Sequence, residues 1–341
     1  MAKKSICGLT AEEIYSSIGS AGFEFSDAVE IANSIYKKRT RSFSQIPKIS
    51  KKLKNELEQN FCCGISDPLY SVVSADKTVK FLFRTETGLE FETVYIPENK
   101  RNTVCVSTQS WCRMGCPFCV TASYGFRGNL SAGEMVNQIV SLPDAEKVTH
   151  VVFMGMGEPM DNLGNVLKAC EIITAEWGLA ISPRNVTIST VGITQGVENF
   201  LMSSECNLTF SLYSPFDDER IGVIPAEKLN PAKGILELMK NYSVKKKRRL
   251  SIGYVMINSL NDTDRHLEEL KKLLRGSKVR VNLLPYHTVG SDPNRSSPEE
   301  RMQFFKHNLV ISGISASIRK SRGVDISAAC GLLAKDLSIE K

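Results

Sequence analysis

The sequence predicts an α/β protein: a partial (βα)6 barrel carrying a small N-terminal helical module and a β-meander extension. Three observations lead there. From Val104 onward, strand-length apolar runs recur seven times with longer helical stretches between most of them. These runs lack clean apolar/polar alternation, as expected of strands buried on both faces of a parallel sheet. Before them lie two other patterns, capped helical segments and then short β-branched runs divided by a turn.

In chain order, Thr10 and Glu13 make a capping-box pattern ahead of Ile14 and Ile18. Ser26 opens a second amphipathic stretch carrying Val29, Ala32, Ile35 and Tyr36, and a third helix is expected from Ser50 to about Asn60. Strands follow at about 69–74, 78–84 and 89–96, with Thr87-Gly88 turning between the last two. The barrel strands are expected at about 104–108, 148–154, 185–190, 206–212, 250–257, 278–284 and 314–319. The division is therefore 1–65 helical module, 66–100 β extension and 101–341 barrel. About six βα units imply an open barrel whose active site gathers at the C-terminal strand ends. The loop Gly290 to Pro298 follows a strand and is a candidate substrate-facing lid.

Composition narrows the function classes. With 42% hydrophobic residues in 341, the chain can bury a large core. No apolar run reaches a membrane span and no hydrophobic signal core follows Met1 to Ser5, so a cytoplasmic protein without a membrane partner is expected. Ten cysteines in that setting are thiols unless they are ligands or redox-active; Cys7, Cys62, Cys63, Cys170 and Cys206 are given no special role. The net charge of +6 is modest but clustered. One patch joins Lys37, Lys38, Arg39 and Arg41 to Lys48, Lys51, Lys52 and Lys54; the other runs from Lys245 to Arg249. Such runs are more often solvated faces than nucleic-acid contacts.

The chemistry starts at Cys112, Cys116 and Cys119, three thiols on one short loop after the first barrel strand. Three soft ligands can hold three irons of a [4Fe–4S] cluster and leave the fourth open, where S-adenosylmethionine (SAM) can chelate and be split to an adenosyl radical. The alternative is structural zinc, for which Cys105 would be the fourth ligand. Unequal gaps on a single loop, without two knuckle pairs, favour iron–sulfur. Phe118 stands beside the third cysteine, where a ring could shield the cluster or face an adenine. One strand later, Met154-Gly155-Met156-Gly157-Glu158-Pro159 offers glycines for close backbone approach and a carboxylate for an amino group. Ser189 and Ser211 occupy equivalent strand ends, suited to a ribose or carboxylate, or else simple turn and cap serines.

Cys105-Val106-Ser107-Thr108-Gln109, the three-cysteine loop, Met154 to Pro159, Arg319-Lys320-Ser321-Arg322-Gly323 and Ala328-Ala329-Cys330-Gly331 together closely resemble the radical-SAM RNA adenine methyltransferases. That family includes enzymes that methylate adenine C2 in 23S rRNA and tRNA and relatives that methylate C8. The resemblance spans nearly the whole chain. It implies that Cys330 takes a methyl group from one SAM, that a second SAM at the cluster activates that group, and that Cys105 resolves the protein–RNA adduct by forming a disulfide. It implies Glu92 as proton acceptor, although Glu92 alone reads as a polar residue on an alternating strand. It implies SAM contacts at Gly157, Glu158, Ser189, Ser211, Leu212, Tyr213 and His287. Its partners would be 23S rRNA and/or tRNA and a reductant such as flavodoxin or ferredoxin, acting on a monomer.

Two positions depart from the family pattern. Tyr213 stands where the family has His, and His287 where it has Asn. Both can still hydrogen-bond, through a hydroxyl and a ring nitrogen. Three readings are open at this point: adenine-C2 methylation, favoured by Glu158-Pro159; adenine-C8 methylation by the same machinery; and a non-enzymatic RNA-binding protein with a structural metal site.

Overall fold

A computed structural model describes residues 3–19, 22–245, 248–289 and 292–333. Ten strands lie side by side in chain order: β1 (Tyr70–Val73), β2 (Val79–Arg84), β3 (Glu90–Ile96), β4 (Thr103–Cys105), β5 (His150–Phe153), β6 (Val186–Thr190), β7 (Asn207–Ser211), β8 (Leu250–Met256), β9 (Arg280–Pro285) and β10 (Ala316–Ile318). The first four are joined antiparallel. From β4 to β10 every pairing is parallel. With β1 and β10 as its two edges, the sheet stays open. All seven expected barrel strands are present, and helical crossovers join each to the next.

Boundaries shift where side chains intervene. Strand β4 stops at Cys105 because the Ser107 amide donates to Gln138 Oε1 (2.8 Å) instead of a ladder carbonyl. Gln109–Ser110 then pairs antiparallel with Gly128–Asn129.

Helices α1 (Ala11–Ile18), α2 (Phe25–Tyr36) and α3 (Lys51–Asn60) form the N-terminal part. The capping box is made: Glu13 N–H donates to Thr10 Oγ1 (3.2 Å) and Thr10 N–H to Glu13 Oε2 (3.0 Å). Helix α2 starts at Phe25, one residue early, because the Asp27 carboxylate accepts from the Glu24 N–H. Ile14, Ile18, Ile31, Ile35, Leu53 and Leu57 are buried in one hydrophobic cluster that continues through the sheet to Leu333. Each contributes about 1.5–3 kcal/mol by burial.

Two helices lie between β4 and β5: the short α4 (Val120–Ser123), directly after the cysteine loop, and α5 (Ala132–Val140), which packs on the sheet as the first crossover. Register decides what faces the barrel interior. Lys80, Val94, Cys105, Val152, Thr187 and Asn207 are cross-strand partners in one continuous row. Partners directly opposite one another point to the same face. Thr93 points the other way and donates to Gln138 on α5. Glu92, two residues from Val94, therefore shares the interior face with Cys105. On β6, buried Val186 and Ile188 alternate with half-buried Thr187 and Ser189. The expected lack of alternation fails there because the inward face lines a polar hollow rather than a packed core.

The basic patches are less open than the sequence suggests. Lys38, Arg39 and Arg41 are each paired with a carboxylate, of Glu30, Glu146 and Asp67. Arg248 is buried, donating to the Leu201 carbonyl, while Lys246 and Lys247 lie outside the described residues, as do Gly290 and Ser291 of the expected lid. No described helix is long and apolar enough to cross a membrane.

Candidate active site

The cysteine loop leaves the C-terminal end of β4. Trp111 and Gly115 turn it through left-handed backbone, with φ of 63° and 69°. The Cys119 N–H closes it onto the Cys116 carbonyl (3.1 Å) immediately before α4. Cys112 and Cys116 are buried and Cys119 half-buried. Burial pushes the first two thiols up to about 12, and the neighbouring Cys119 thiol adds to this, so the three sulfurs lie within electrostatic reach of one another. Metal loading must therefore displace protons. Phe118, Tyr213, Ile224, Ile257 and Tyr286 wall the loop with apolar surface.

This donor set fits a [4Fe–4S] cluster: three soft thiolates, a dry surround, and no fourth protein ligand required. Among the described residues no three His, Cys, Asp or Glu side chains converge as ligands of a single ion would. Cys105, the zinc alternative's fourth ligand, faces the barrel interior within electrostatic reach of Cys330.

The expected SAM contacts divide into several kinds. Gly157 has φ of 98°, and a Cβ there would meet Gln109 Cβ at 2.5 Å, so only glycine fits. Glu158 is buried and its carboxylate accepts from Met160 N–H (2.9 Å), Thr190 Oγ1 (2.5 Å) and Val191 N–H (2.9 Å). Desolvation outweighs these bonds and raises its pKa to about 7. Three of roughly four lone-pair sites are used, leaving one for a cation. Ser189 and Ser211 hydroxyls lie 3.5 Å apart at adjacent strand ends. Leu212 is less accessible than expected: its side chain is buried, its N–H donates to Gly253 and its carbonyl accepts from Arg220. Tyr213 adopts φ of 64° and stacks its ring on Phe118, centroids 5.6 Å apart and 4° from parallel. His287 Nε2 pairs with Ser321 Oγ at 2.8 Å, and burial lowers its pKa.

The C-terminal segment is held from two sides. Val120 N–H donates to the Gly331 carbonyl (2.8 Å) and Thr121 Oγ1 to the Leu333 carbonyl (3.2 Å), tying the segment to the helix that follows the cysteine loop. On the other side, Asp76 accepts from Gly323 N–H (3.0 Å), and Asp325 accepts from Ser74 Oγ (2.5 Å) and Ala75 N–H (3.0 Å), tying it to the β1–β2 turn. Between these ties Cys330 is solvent-accessible yet densely surrounded by protein, as a residue facing a cleft would be. Burial raises both the Cys105 and Cys330 thiols, and Arg319 opposes the rise at each.

Sequence reading missed three supports. Glu92 is paired with Lys80 at 3.2 Å, both side chains 3% exposed. Arg220, fully buried, donates to the carbonyls of Ser211, Leu212 and Val191 and pairs with Glu227, so one guanidinium pins two strand ends. The Asp76 and Asp325 ties are the third. The strand alternation around Lys80 carried a usable signal, since a lysine in Val79-Lys80-Phe81-Leu82-Phe83 shares its face with Glu92; nothing comparable marked Arg220.

Comparison with known proteins agrees with this geometry. The Radical SAM superfamily model matches residues 106–274. A probable dual-specificity RNA methyltransferase RlmN from Phocaeicola vulgatus is 41% identical, covering 97% of this chain and 95% of its own. The dual-specificity RNA methyltransferase RlmN of Syntrophus aciditrophicus is 36% identical over 100% of this chain and 99% of its own. Among solved structures, a radical SAM methyltransferase from Sphaerobacter thermophilus superposes with a TM-score of 0.89 at 34% identity, covering 97% and 99% of the two chains. Shared motifs, sheet order and near full-length likeness together place this chain in the RlmN family of radical SAM dual-specificity RNA methyltransferases.

Proposed function

We propose that the protein methylates C2 of an adenine in structured RNA, 23S rRNA and tRNA, through a methyl group carried on Cys330. The observation that supports this most is that Cys330 lies within electrostatic reach of Cys105, two thiols from opposite ends of the barrel sequence, while its segment is tied to the helix that follows the cysteine loop. Adenine C2 has no nucleophilic lone pair, so direct displacement on SAM cannot serve it. Cys112, Cys116 and Cys119 would hold the [4Fe–4S] cluster, which with SAM supplies the radical chemistry.

The chain's own residues do the rest. Cys330, as thiolate, accepts a methyl group by displacement and becomes a thioether. Once this carbon is bonded to the base and the adduct has given up its odd electron, Glu92 accepts the ring proton. Cys105, as thiolate, attacks the Cys330 sulfur; a disulfide forms as the carbon–sulfur bond breaks with its electron pair passing to the carbon, which takes up a proton to complete the methyl group, and methylated RNA leaves. A two-electron reductant then restores both thiols, and a flavodoxin or ferredoxin is the proposed donor to the cluster. Glu158 has room for the SAM ammonium, and Tyr213 and Phe118 offer paired aromatic faces. The exposed Lys48, Lys51 and Lys52 of the 1–65 module are proposed to meet RNA phosphates.

The test is anaerobic incubation of the reconstituted protein with RNA and methyl-labelled SAM, followed by nucleoside identification. 2-Methyladenosine is expected, and the C8 isomer alone overturns the reading. Cys330→Ala should abolish labelling, whereas Cys105→Ala should accumulate a covalent protein–RNA adduct.

A further inference from the structure

The barrel has a second polar opening at the end opposite the cysteine loop. A cavity of about 80 Å³ there is lined by Arg101, His150, Arg184, Arg249 and Arg319, with no carboxylate among its lining residues. Arg101 lies two residues before β4 and His150 opens β5; Arg184 sits in the single turn that leads into β6, and Arg249 immediately precedes β8. These four therefore surround the N-terminal strand ends. Among the described residues, none of the guanidiniums of Arg101, Arg184, Arg249 and Arg319 makes a salt bridge or donates a side-chain hydrogen bond, while most other arginines do. Arginine cannot shed its charge to relieve the crowding. After burial, neighbouring guanidiniums lower the pKa values further: Arg319 and Arg249 act on Arg101, Arg280 and Arg319 on Arg249, and Arg101 and Arg249 on His150, with Glu98 opposing at Arg101 and His150.

We propose that this arginine mouth binds backbone phosphates of the RNA, so that the target nucleotide enters the barrel from the N-terminal strand ends. The inference rests on the RNA substrate proposed above. Arg319 connects the mouth to the chemistry, being within electrostatic reach of both Cys105 and Cys330. Inward-facing Thr187, Thr209 and Ser251 continue the polar path between them. An unstacked base can then reach the cysteines while its flanking phosphates stay on the guanidiniums, which fork to phosphate oxygens. The cysteine loop, which would hold the cluster and its SAM, lies at the other end, so the two substrates would not share an entrance.

The test uses the full-length protein and a fluorescent adenine-bearing RNA hairpin, titrated at salt concentrations from about 50 to 200 mM. Arg101→Gln/Arg249→Gln is expected to weaken binding at least tenfold at low salt and to lower the log–log salt slope by about 0.7–0.9 for each phosphate no longer neutralised. The equally charged control Lys233→Gln/Arg265→Gln, two exposed residues in the first turns of helices that start beside the opposite, C-terminal strand ends, should keep the wild-type slope. Unchanged affinity and slope in a double variant that melts like wild type overturn the proposal. Should the variant fold poorly, the wild type is titrated with hairpins carrying neutral methylphosphonate linkages beside the adenine; the same drop in slope is expected, and no drop at any linkage overturns it. Inorganic phosphate at matched ionic strength should not compete, and full competition by it would mark a small-anion site instead. Arginine-dependent binding without methylated product counts against the proposed reaction alone, whereas methylation with wild-type behaviour of the variants counts against this entrance alone.

Discussion

Replacing Asp76 by Asn should loosen the segment that carries Cys330 without touching the cysteine loop or the proposed SAM contacts. Burial alone would raise the Asp76 pKa, but hydrogen bonds from Thr78, Gly323 and Ser74 outweigh it and hold the carboxyl at about 2, against 3.8 ordinarily. At 1.36 kcal/mol per pH unit the difference corresponds to about 2.4 kcal/mol. The side chain is 30% exposed and its surroundings are mostly solvent, so screening brings this to about 1 kcal/mol. A depressed carboxylate contributes stability that is complete above its unfolded pKa near 3.8 and is lost as pH falls from there through about 2. At neutral pH the full effect is therefore present. The Asn amide cannot accept from both Thr78 and Gly323 N–H, so one tie is lost. Local opening of residues 323–333 should become about fivefold more frequent, read as faster amide hydrogen exchange there and slower single-turnover labelling of Cys330 with methyl-labelled SAM. Cluster absorbance should not change. Unaltered exchange in 323–333 at neutral pH would refute the tether, and equal stability of variant and wild type is expected only near pH 2.

Two other supports can be probed in the same way. Lys80→Met removes the ammonium 3.2 Å from the buried Glu92 carboxylate, and loss of that positive charge should raise the Glu92 pKa. The acid limb of the methylation pH profile should then move to higher pH; an unmoved limb would count against Glu92 as the proposed proton acceptor. Arg220→Met strips hydrogen bonds from three carbonyls and strands the Glu227 carboxylate in the interior. A loss of about 3–5 kcal/mol in denaturant unfolding is expected, with SAM affinity falling further than cluster content, and a loss below about 1 kcal/mol would show that the strand ends are held by other means.

Local signals explain why so much was legible beforehand. The cysteine spacing, the Thr10–Glu13 cap, the Thr87-Gly88 turn and the glycines of Met154 to Pro159 each act within a few residues, where sequence distance and spatial distance nearly coincide. Leu212 shows the limit. Its position at a strand end was correct, but its backbone groups are committed to Gly253 and Arg220, the first of which lies far off in sequence. The basic patches show it again: charges that look free in a row find carboxylates such as Glu146 and Asp67 once the chain folds.

Short-range pattern was enough for the barrel and the three-cysteine loop, because strand period, turn chemistry and ligand type are properties of neighbouring residues, whereas Cys330 and Cys105 were singled out only by resemblance to the family. Which side chains support them emerged only on folding: Lys80 beside Glu92, Arg220 across two strand ends, Asp76 and Asp325 holding the Cys330 segment, and four arginines gathered at one mouth. Those pairings depend on sheet register and on electrostatics acting through space, and register between distant strands is set by packing of the whole sheet rather than by any one segment.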